Sequence, residues 1–533
     1  MTLANLNRCP DRSVVVLAIA LALTTSAPVG AQVDASVHDD DFLPSSMDAE
    51  FYERRNRSAS ATIDFDRPHR MVHSALFGVN TSYFNDTDEI WSTFEISSTL
   101  EAAGVGALRY PGGEETSFFH WEHPGVNGYE DIFDAPSTHG AAFKRGPFQA
   151  TWVAPEQWGT NEAFMNFDEF IAHCEAIGAE PVVGLNLSRG RRHNEIDAGL
   201  EDALRWMRYS RDQGYDVTYW YLDNEPWHGA GAYTFDIVGE YAGDVVRYGR
   251  AIKAEFPEAK LIVNPYSAES VFERDYAVEF VRKAGPVIDF IDMHWYWGWG
   301  LSDWDRWLES NPMTSRTKWM DPSHNLSYAD NIEFVREIAR DAGHPELGIV
   351  ALEWNLGPGP DMLPLDDRAH ALMHAQMLME FAHGGIEIAC LWPLIWQSRR
   401  DVWPEQDHFP SIVEQGEPFA PTRSHDVFRM LSPMGGSTLV ASDASNEDLH
   451  LLAAVSEDGC TARVAVLSKS RQRRKVTIDL AGFRARSVRG ECFDIDRPSV
   501  YEPEVSLAGD SQLEYFADRF SLAVFTLECA TDR

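Results

Sequence analysis

The sequence has few cysteines, no excess of positive charge and a single long hydrophobic run, and each shortage removes a class of function. Six cysteines occur in 533 residues. The first, Cys9, lies in a segment expected to be removed, which leaves Cys174, Cys390, Cys460, Cys492 and Cys529. With no two of these close together, neither a zinc site nor a disulfide framework is expected. One bridge among Cys460, Cys492 and Cys529 would suit an oxidising compartment, and spacing does not choose the pair. Against 83 Asp+Glu there are only 45 Lys+Arg, a net charge of −38 that repels phosphate backbones and excludes nucleic acid as a partner. The run Val14–Leu23 is too short to span a membrane comfortably. With Arg8 and Arg12 before it and Val29-Gly30-Ala31 after it, residues 1–31 read as a signal peptide, the alternative being an uncleaved anchor. The mature chain is then expected to be secreted or periplasmic, with no membrane partner. No Cys follows Ala31 directly, so a lipoprotein is not expected.

Aromatic residues, in contrast, are abundant: 17 Trp, 17 Tyr and 29 Phe, in a chain 44% hydrophobic, supply a large core. Residues 32–60 are polar and acidic and read as a lead-in or linker. Across 61–430, short apolar runs alternate with helical patterns, the rhythm of βαβ units. The strand candidates are Leu76–Phe84, Ala107–Gly113, Glu180–Ser188, Thr218–Pro226, Lys260–Ser267, Phe290–Trp297, Gly348–Leu356 and Glu387–Trp396. Amphipathic helices are expected between them, with Phe170, Ile171, Cys174 and Ile177 on one stripe and Ile332, Val335, Ile338 and Ala339 on another. No glycine-rich phosphate loop follows the first strand, which favours a closed (β/α)8 TIM barrel over an open doubly wound α/β sheet. After residue 430 the pattern changes to strands without helices: Ser437–Ser442, Leu449–Val455, Ala462–Ser468, Lys475–Leu480, Ser487–Asp494, Val500–Leu507 and Phe520–Leu527. A C-terminal β-sandwich over 431–533 is expected, with Ala61–Phe65 as an added edge strand.

In such a barrel the chemistry sits at the C-terminal ends of the strands. The fourth candidate ends Asp223-Asn224-Glu225 and the seventh Leu352-Glu353-Trp354-Asn355. A carboxylate at the end of an apolar strand is costly unless paired, hydrogen-bonded or used. Two of them across one barrel mouth, about 5–5.5 Å apart, suit displacement with retention at a glycosidic carbon: Glu353 as nucleophile, Glu225 as acid and then base. Arg109, ending the second strand, is the expected partner that keeps Glu353 ionised. Asn224 is placed for a sugar 2-hydroxyl, His294 and Tyr296 for hydrogen bonds to the nucleophile or sugar, and Trp392 for stacking on a pyranose face. Each has a structural alternative: a strand-end turn, an ion pair or core filling.

Two loops are long. The stretch from Glu114 to Phe164 carries Phe118, Phe119, His120, Trp121, Trp152 and Trp158, and the one after the sixth strand carries Trp297, Trp299, Trp304, Trp307 and Trp319. Loops of this length are usually functional. His120, Trp121, Trp227 and Trp297 are therefore expected to line a groove for several sugar units, the alternative being a hydrophobic cluster under the loops. Lys144, Arg145, Arg189, Arg191 and Arg192 could meet anionic sugars or form a solvated face. A polysaccharide or oligosaccharide is the expected partner, with no cofactor and no metal. Two rival readings remain: a carbohydrate-binding barrel without catalysis, and a metal enzyme built on Asp292 and His294.

The motifs Arg109-Tyr-Pro-Gly-Gly113, Asp223-Asn-Glu-Pro-Trp227, His294-Trp-Tyr296 and Leu352-Glu-Trp-Asn355 together resemble those of clan A retaining glycoside hydrolases, over residues 61–533. Within the clan, the spacing of the two glutamates and the expanded loops most resemble the β-agarase/β-porphyranase family, which implies endo-cleavage of red-algal galactans. Glu353-Trp-Asn355 and Arg109-Tyr-Pro-Gly-Gly113 also look like α-L-arabinofuranosidases, and β-xylosidase and β-glucuronidase families share parts.

Overall fold

The computed structural model describes residues 57–83, 85–117, 119, 121, 165–226, 232–233, 237–265, 274–297, 304–309, 313, 327–357, 367–396 and 409–530. The signal-peptide segment, most of the lead-in, Lys144, Arg145, His120 and Trp227 lie outside the described residues.

The first strand, β1 (Ser58–Met71), is followed by the barrel strands β2 (Gly78–Asn80), β3 (Ala107–Tyr110), β4 (Glu180–Leu185), β5 (Tyr219–Leu222), β6 (Lys260–Val263), β7 (Phe290–Asp292), β8 (Trp295–Trp297), β9 (Gly348–Leu356) and β10 (Ala389–Leu391). They pair in parallel in the order β10-β2-β3-β4-β5-β6-β7-β9, and β10 also pairs with β9, so the ring closes; β8 prolongs the path of β7 alongside β9. The chain is a TIM barrel with a separate β domain. Every strand candidate holds a strand, and most strands stop short of the candidate's C-terminal end. Asp223, Asn224 and Glu225, for example, have left the ladder. The interior is filled by Ala107, Val182, Tyr221, Ile262, Phe290, Val350, Leu352, Ile388 and Cys390, contributed by strands around the ring, so the barrel is a packed core rather than a pore.

Helices cover the outside as their patterns require. Phe167–Ile177 starts in a capping box between Asn166 and Glu169 and stops at Gly178, in the left-handed conformation. It buries Phe167, Phe170, Ile171 and Cys174. Tyr328–Ala342 buries Ile332, Val335, Ile338 and Ala339. No described helix is long and apolar enough to cross a membrane.

The β domain comprises β1 with β11 (Thr438–Ala444), β12 (Leu449–Val455), β13 (Thr461–Ser468), β14 (Arg474–Ala481), β15 (Ala485–Asp494), β16 (Val505–Leu507), β17 (Gln512–Ala517) and β18 (Ser521–Cys529). The order is β15-β18-β13-β12-β11-β1-β14-β17-β16. Tyr515 on β17 and Phe525 on β18 are far apart in that order, yet their ring centroids are only 4.7 Å apart. The sheet therefore folds over itself around one core, containing Ile63, Leu451, Val464, Ile478, Leu513 and Phe525.

Two expectations need correction. Residues 58–71 belong to this domain rather than to the barrel, so the barrel does not begin at residue 61. Nor is β1 an edge strand: it sits in the middle, antiparallel to β11 and parallel to β14. The register shift between Asp64 and Pro68 allows it to leave one ladder while keeping the other. The strand Gln512–Ala517 lies outside the runs expected from the sequence pattern. The domain packs on the barrel through the helix Asp367–Gly384, which is buried nearly all round, with His383 Nε2 2.7 Å from the Leu451 carbonyl.

Of the three candidate cysteines, Cys460 and Cys529 form a disulfide, and Cys492 is a free, buried thiol. The bridge joins β18 to the start of β13 across a sequence separation of 69. Replacing both bridged cysteines by serine should lower stability by about 2–4 kcal/mol. Chemical denaturation compared with wild type checks this, and unchanged midpoints would show that the bridge contributes nothing.

Candidate active site

Each strand-end motif delivers its side chain to one mouth. Arg109, at the end of β3, is fully buried, and its guanidinium lies 4.3 Å from the ring centre of Tyr221. Its Nη1 donates to Glu353 Oε1 (2.8 Å), to Asn80 Oδ1 (3.0 Å) and to the Leu352 carbonyl (3.3 Å), while Nη2 donates to Asn224 Oδ1 (2.6 Å). A buried charge is tolerable only with this degree of pairing. The other oxygen of Glu353 accepts from the Tyr296 hydroxyl at 2.9 Å. Burial, then the Glu353 and Glu225 carboxylates, hold that phenol well above its ordinary range, so it remains a donor.

His294 stands between the two glutamates. Nδ1 is 2.8 Å from Glu225 Oε1 and 3.4 Å from Glu353 Oε2. On the far side, Nε2 lies 3.0 Å from Asp292 Oδ2, a charge contact off the ideal hydrogen-bond line. Burial disfavours the imidazolium, but the Glu353 and Asp292 carboxylates outweigh it and raise the group to about 10. Glu225, His294 and Glu353 offer one ligand atom each within 4.8 Å of one another, with His294 Nδ1 between the two carboxylates.

A pH dependence follows. The folded-state value lies above the ordinary 6.5, so the stabilisation is complete below about pH 6.5 and is lost as pH rises towards 10. Urea unfolding of the wild type should weaken across that window, and His294→Gln should show a flatter profile there. Parallel profiles would contradict the assignment.

One oxygen of each glutamate lies within 4.8 Å of the other, an approach compatible with the roughly 5–5.5 Å separation of carboxyl groups in retaining sites. The Trp392 ring borders the nucleophile. A Cβ at Gly113 would come 2.9 Å from that ring and 3.1 Å from Glu353 Oε1, so this position has no room for a side chain. Trp392 stands in an edge-on pair with Trp396, which in turn meets Phe409; Phe409 also lies 5.9 Å from Tyr296.

Other expectations are not met. Trp121 stacks on Trp206 of the helix Ile196–Gln213, with planes 6° apart, and contacts Tyr209. Trp297 and Trp307 are buried in the main core, and Trp304 packs against Phe520 of the β domain. These rings pack against cores instead of walling a groove, because a large apolar surface gains more from burial than from an open wall. Arg189 pairs with Asp202, Arg191 with Asp244 and Glu240, and Arg192 donates to the Ser117 carbonyl, so none is a simple solvated face.

Several residues support the site in roles not expected from the sequence. Asn80 donates to the Leu352 and Cys390 carbonyls while accepting from Arg109. Asp292 accepts from the Leu352 backbone N–H at 2.8 Å as well as facing His294. Tyr221 carries the Arg109 guanidinium. Asn355 accepts from Leu356 N and donates to the Pro410 carbonyl at 2.9 Å, and His374 Nε2 is 3.0 Å from its oxygen. The available signal is a polar residue within an apolar strand.

The chain has similar counterparts among known proteins, although no family model matches it. α-L-Arabinofuranosidase C of Emericella nidulans is 28% identical over 195 residues, 33% of each chain. An intracellular exo-α-(1→5)-L-arabinofuranosidase of Acetivibrio thermocellus is 25% identical over 256 residues, 43% of each. The chain spans about a third of the length of the first of these curated relatives. Among solved structures, the GH51 α-L-arabinofuranosidase from Thermotoga petrophila RKU-1 is 18% identical with a TM-score of 0.64, covering 88% of this chain and 100% of that one. AbfB, a family 51 α-L-arabinofuranosidase from Bifidobacterium longum, gives 16% and 0.66 over 88% and 99%. The fold is that of the GH51 arabinofuranosidases. None of these four relatives is an agarase or a porphyranase.

Proposed function

We propose that this protein is a retaining glycosidase of the arabinofuranosidase type, releasing α-L-arabinofuranosyl groups by double displacement. The observation that carries the reading is the pair Glu225 and Glu353, with one oxygen of each within 4.8 Å of the other, Glu353 held by Arg109 and Tyr296 and Glu225 by His294. In the first half-reaction, Glu353 attacks the anomeric carbon as the C–O bond to the leaving group breaks, and Glu225 gives its proton to the departing oxygen. In the second, Glu225 takes a proton from water, the water oxygen bonds to the anomeric carbon, and Glu353 leaves. Arg109 and Tyr296 hold the nucleophile aimed by hydrogen bonds to its two oxygens. Arg109 also takes the oxygen of the Asn224 amide, which leaves Nδ2 to offer a sugar hydroxyl. Trp392 supplies the apolar wall.

The arabinofuranosyl preference is supported by the names of the matching relatives and by the shared fold. An endo-acting galactanase, the reading favoured by the long aromatic loops, has less support: the described tryptophans of those loops are turned into the core. Secretion is proposed on the signal-like residues 1–31 and the Cys460–Cys529 bridge.

The test is a panel of 4-nitrophenyl α-L-arabinofuranoside, β-D-xyloside and β-D-glucuronide, with arabinan, agarose and porphyran read by reducing ends. Release from the arabinofuranoside and from arabinan is expected. Cleavage of the galactans alone would replace the arabinofuranosyl assignment, and no release from any substrate would overturn the glycosidase reading.

A further inference from the structure

Adjacent residues of a β-strand point to opposite faces. Asn224 and Glu225 are adjacent, yet both reach the same mouth: Asn224 Oδ1 binds Arg109, and Glu225 Oε1 binds His294. The backbone accomplishes this by leaving the extended region. Asp223 has φ +71° and Glu225 φ +39°, left-handed values that side chains other than glycine's rarely adopt. Such a conformation persists only where its surroundings over-determine it.

What over-determines it is the side chain of Asp223, which is 1% exposed. Its Oδ1 accepts from Ser117 Oγ at 2.5 Å and from the Asn224 backbone N–H at 2.9 Å, and its Oδ2 accepts from Ser188 Oγ at 2.5 Å. Its own N–H donates to the Leu185 carbonyl at 2.9 Å. The two serines come from different elements, Ser117 from the 3-10 turn Glu114–Ser117 after β3 and Ser188 from the helix Leu187–His193 after β4. Both anchors are themselves braced: Arg192 Nη1 donates to the Ser117 carbonyl at 2.6 Å, and the Ala232 N–H donates to Ser188 Oγ at 3.1 Å. Burial raises the Asp223 carboxyl while the two serine hydrogen bonds oppose that shift. Asp223 is therefore tied to both preceding strand ends but to neither glutamate.

We propose that Asp223 is a positioning residue: clamped by Ser117 and Ser188, it holds the left-handed turn that turns Glu225 into the mouth beside Asn224, and so sets the geometry in which Glu225 delivers its proton. This rests on the reading of Glu225 as acid/base. It predicts a defect in proton delivery rather than in nucleophilic attack, and the two are separable by leaving group. Departure of 2,4-dinitrophenolate needs little protonation, whereas departure of an alkoxide needs a proton fully.

The experiment measures kcat/KM, which reports the first half-reaction, for wild type, Asp223→Ala, Asp223→Asn and the double variant Ser117→Ala/Ser188→Ala. The substrates are methyl and 2,4-dinitrophenyl α-L-arabinofuranoside, or the same pair of the sugar that the panel identifies. Asp223→Ala should lose about 10²-fold on the methyl glycoside, and at least about tenfold less on the dinitrophenyl glycoside. Asparagine tolerates the left-handed region and keeps an acceptor, so Asp223→Asn should recover most of the methyl-glycoside rate. The double serine variant keeps Asp223 and removes only its clamp; it should show the leaving-group bias even if Asp223→Ala fails to fold. Equal losses on both substrates in the variants that fold, or no loss on either, would overturn the proposal. Wild type inactive on both substrates, and on the whole panel, would instead remove the glycosidase reading on which the proposal stands.

Discussion

Glu353→Gln should lower turnover by about 10⁴-fold while the protein still folds. Glutamine has the shape of glutamate and keeps an oxygen to accept from Arg109, so the contacts at 2.8 Å and 2.9 Å to Arg109 and Tyr296 need only small adjustment. What is lost is the negative oxygen that, in the proposed mechanism, bonds the anomeric carbon. In that mechanism Glu225 serves the leaving group, and Asp292 is turned to His294 and the Leu352 N–H. Turnover on the best substrate of the panel, with a thermal unfolding curve beside it, reads both halves of the expectation. Wild-type-like activity would show that Glu353 is not the nucleophile.

The second large effect is at Arg109. Its guanidinium connects Glu353, Asn224 and Asn80 and is itself inaccessible to water. Arg109→Met fits the space but leaves the Glu353 carboxylate without its cation and Asn224 without the donor that orients its amide. Breaking a buried pair by removing one partner costs about 3–5 kcal/mol, because the remaining charge is buried alone. Turnover should fall by about 10³-fold, of the order seen when a donor aimed at developing charge is removed. Arg109→Lys restores charge but cannot reach Glu353 and Asn224 together, so its stability should recover more than its rate. Urea denaturation and kcat for the two variants check this; equal recovery of both would mean that charge alone matters.

These residues are legible in the sequence for a physical reason. An acidic or basic side chain at the end of an apolar strand is expensive unless it is used, so Arg109, Glu225 and Glu353 stand out against Ala107, Leu222 or Val350 in the bare order of residues. Strand existence is legible for a similar reason: runs such as Lys260–Val263 have no other stable use in this pattern. What the pattern does not reveal is what depends on tertiary placement. The segment Ser58–Met71 carries Asp64, Asp66, Arg67, Pro68 and Arg70, hardly the composition of a central strand, and it becomes one because β11 and β14 close around it. Trp121 and Trp297 suit a groove wall and a core equally well when read as aromatic residues in long loops, and the choice depends on what packs beneath them. The roles of Asp223, Ser117 and Ser188 are equally hidden, since a buried serine–aspartate clamp leaves no periodicity to read.

The most direct test of the account is the stereochemistry of transfer. The protein should be given 4-nitrophenyl α-L-arabinofuranoside in aqueous methanol, and the methyl glycoside formed should be identified by proton NMR. Two carboxylates within 4.8 Å predict attack through a glycosyl-enzyme on Glu353 and therefore methyl α-L-arabinofuranoside, the starting anomer. The β-methyl glycoside, or an inverted sugar with no transfer product, would contradict it.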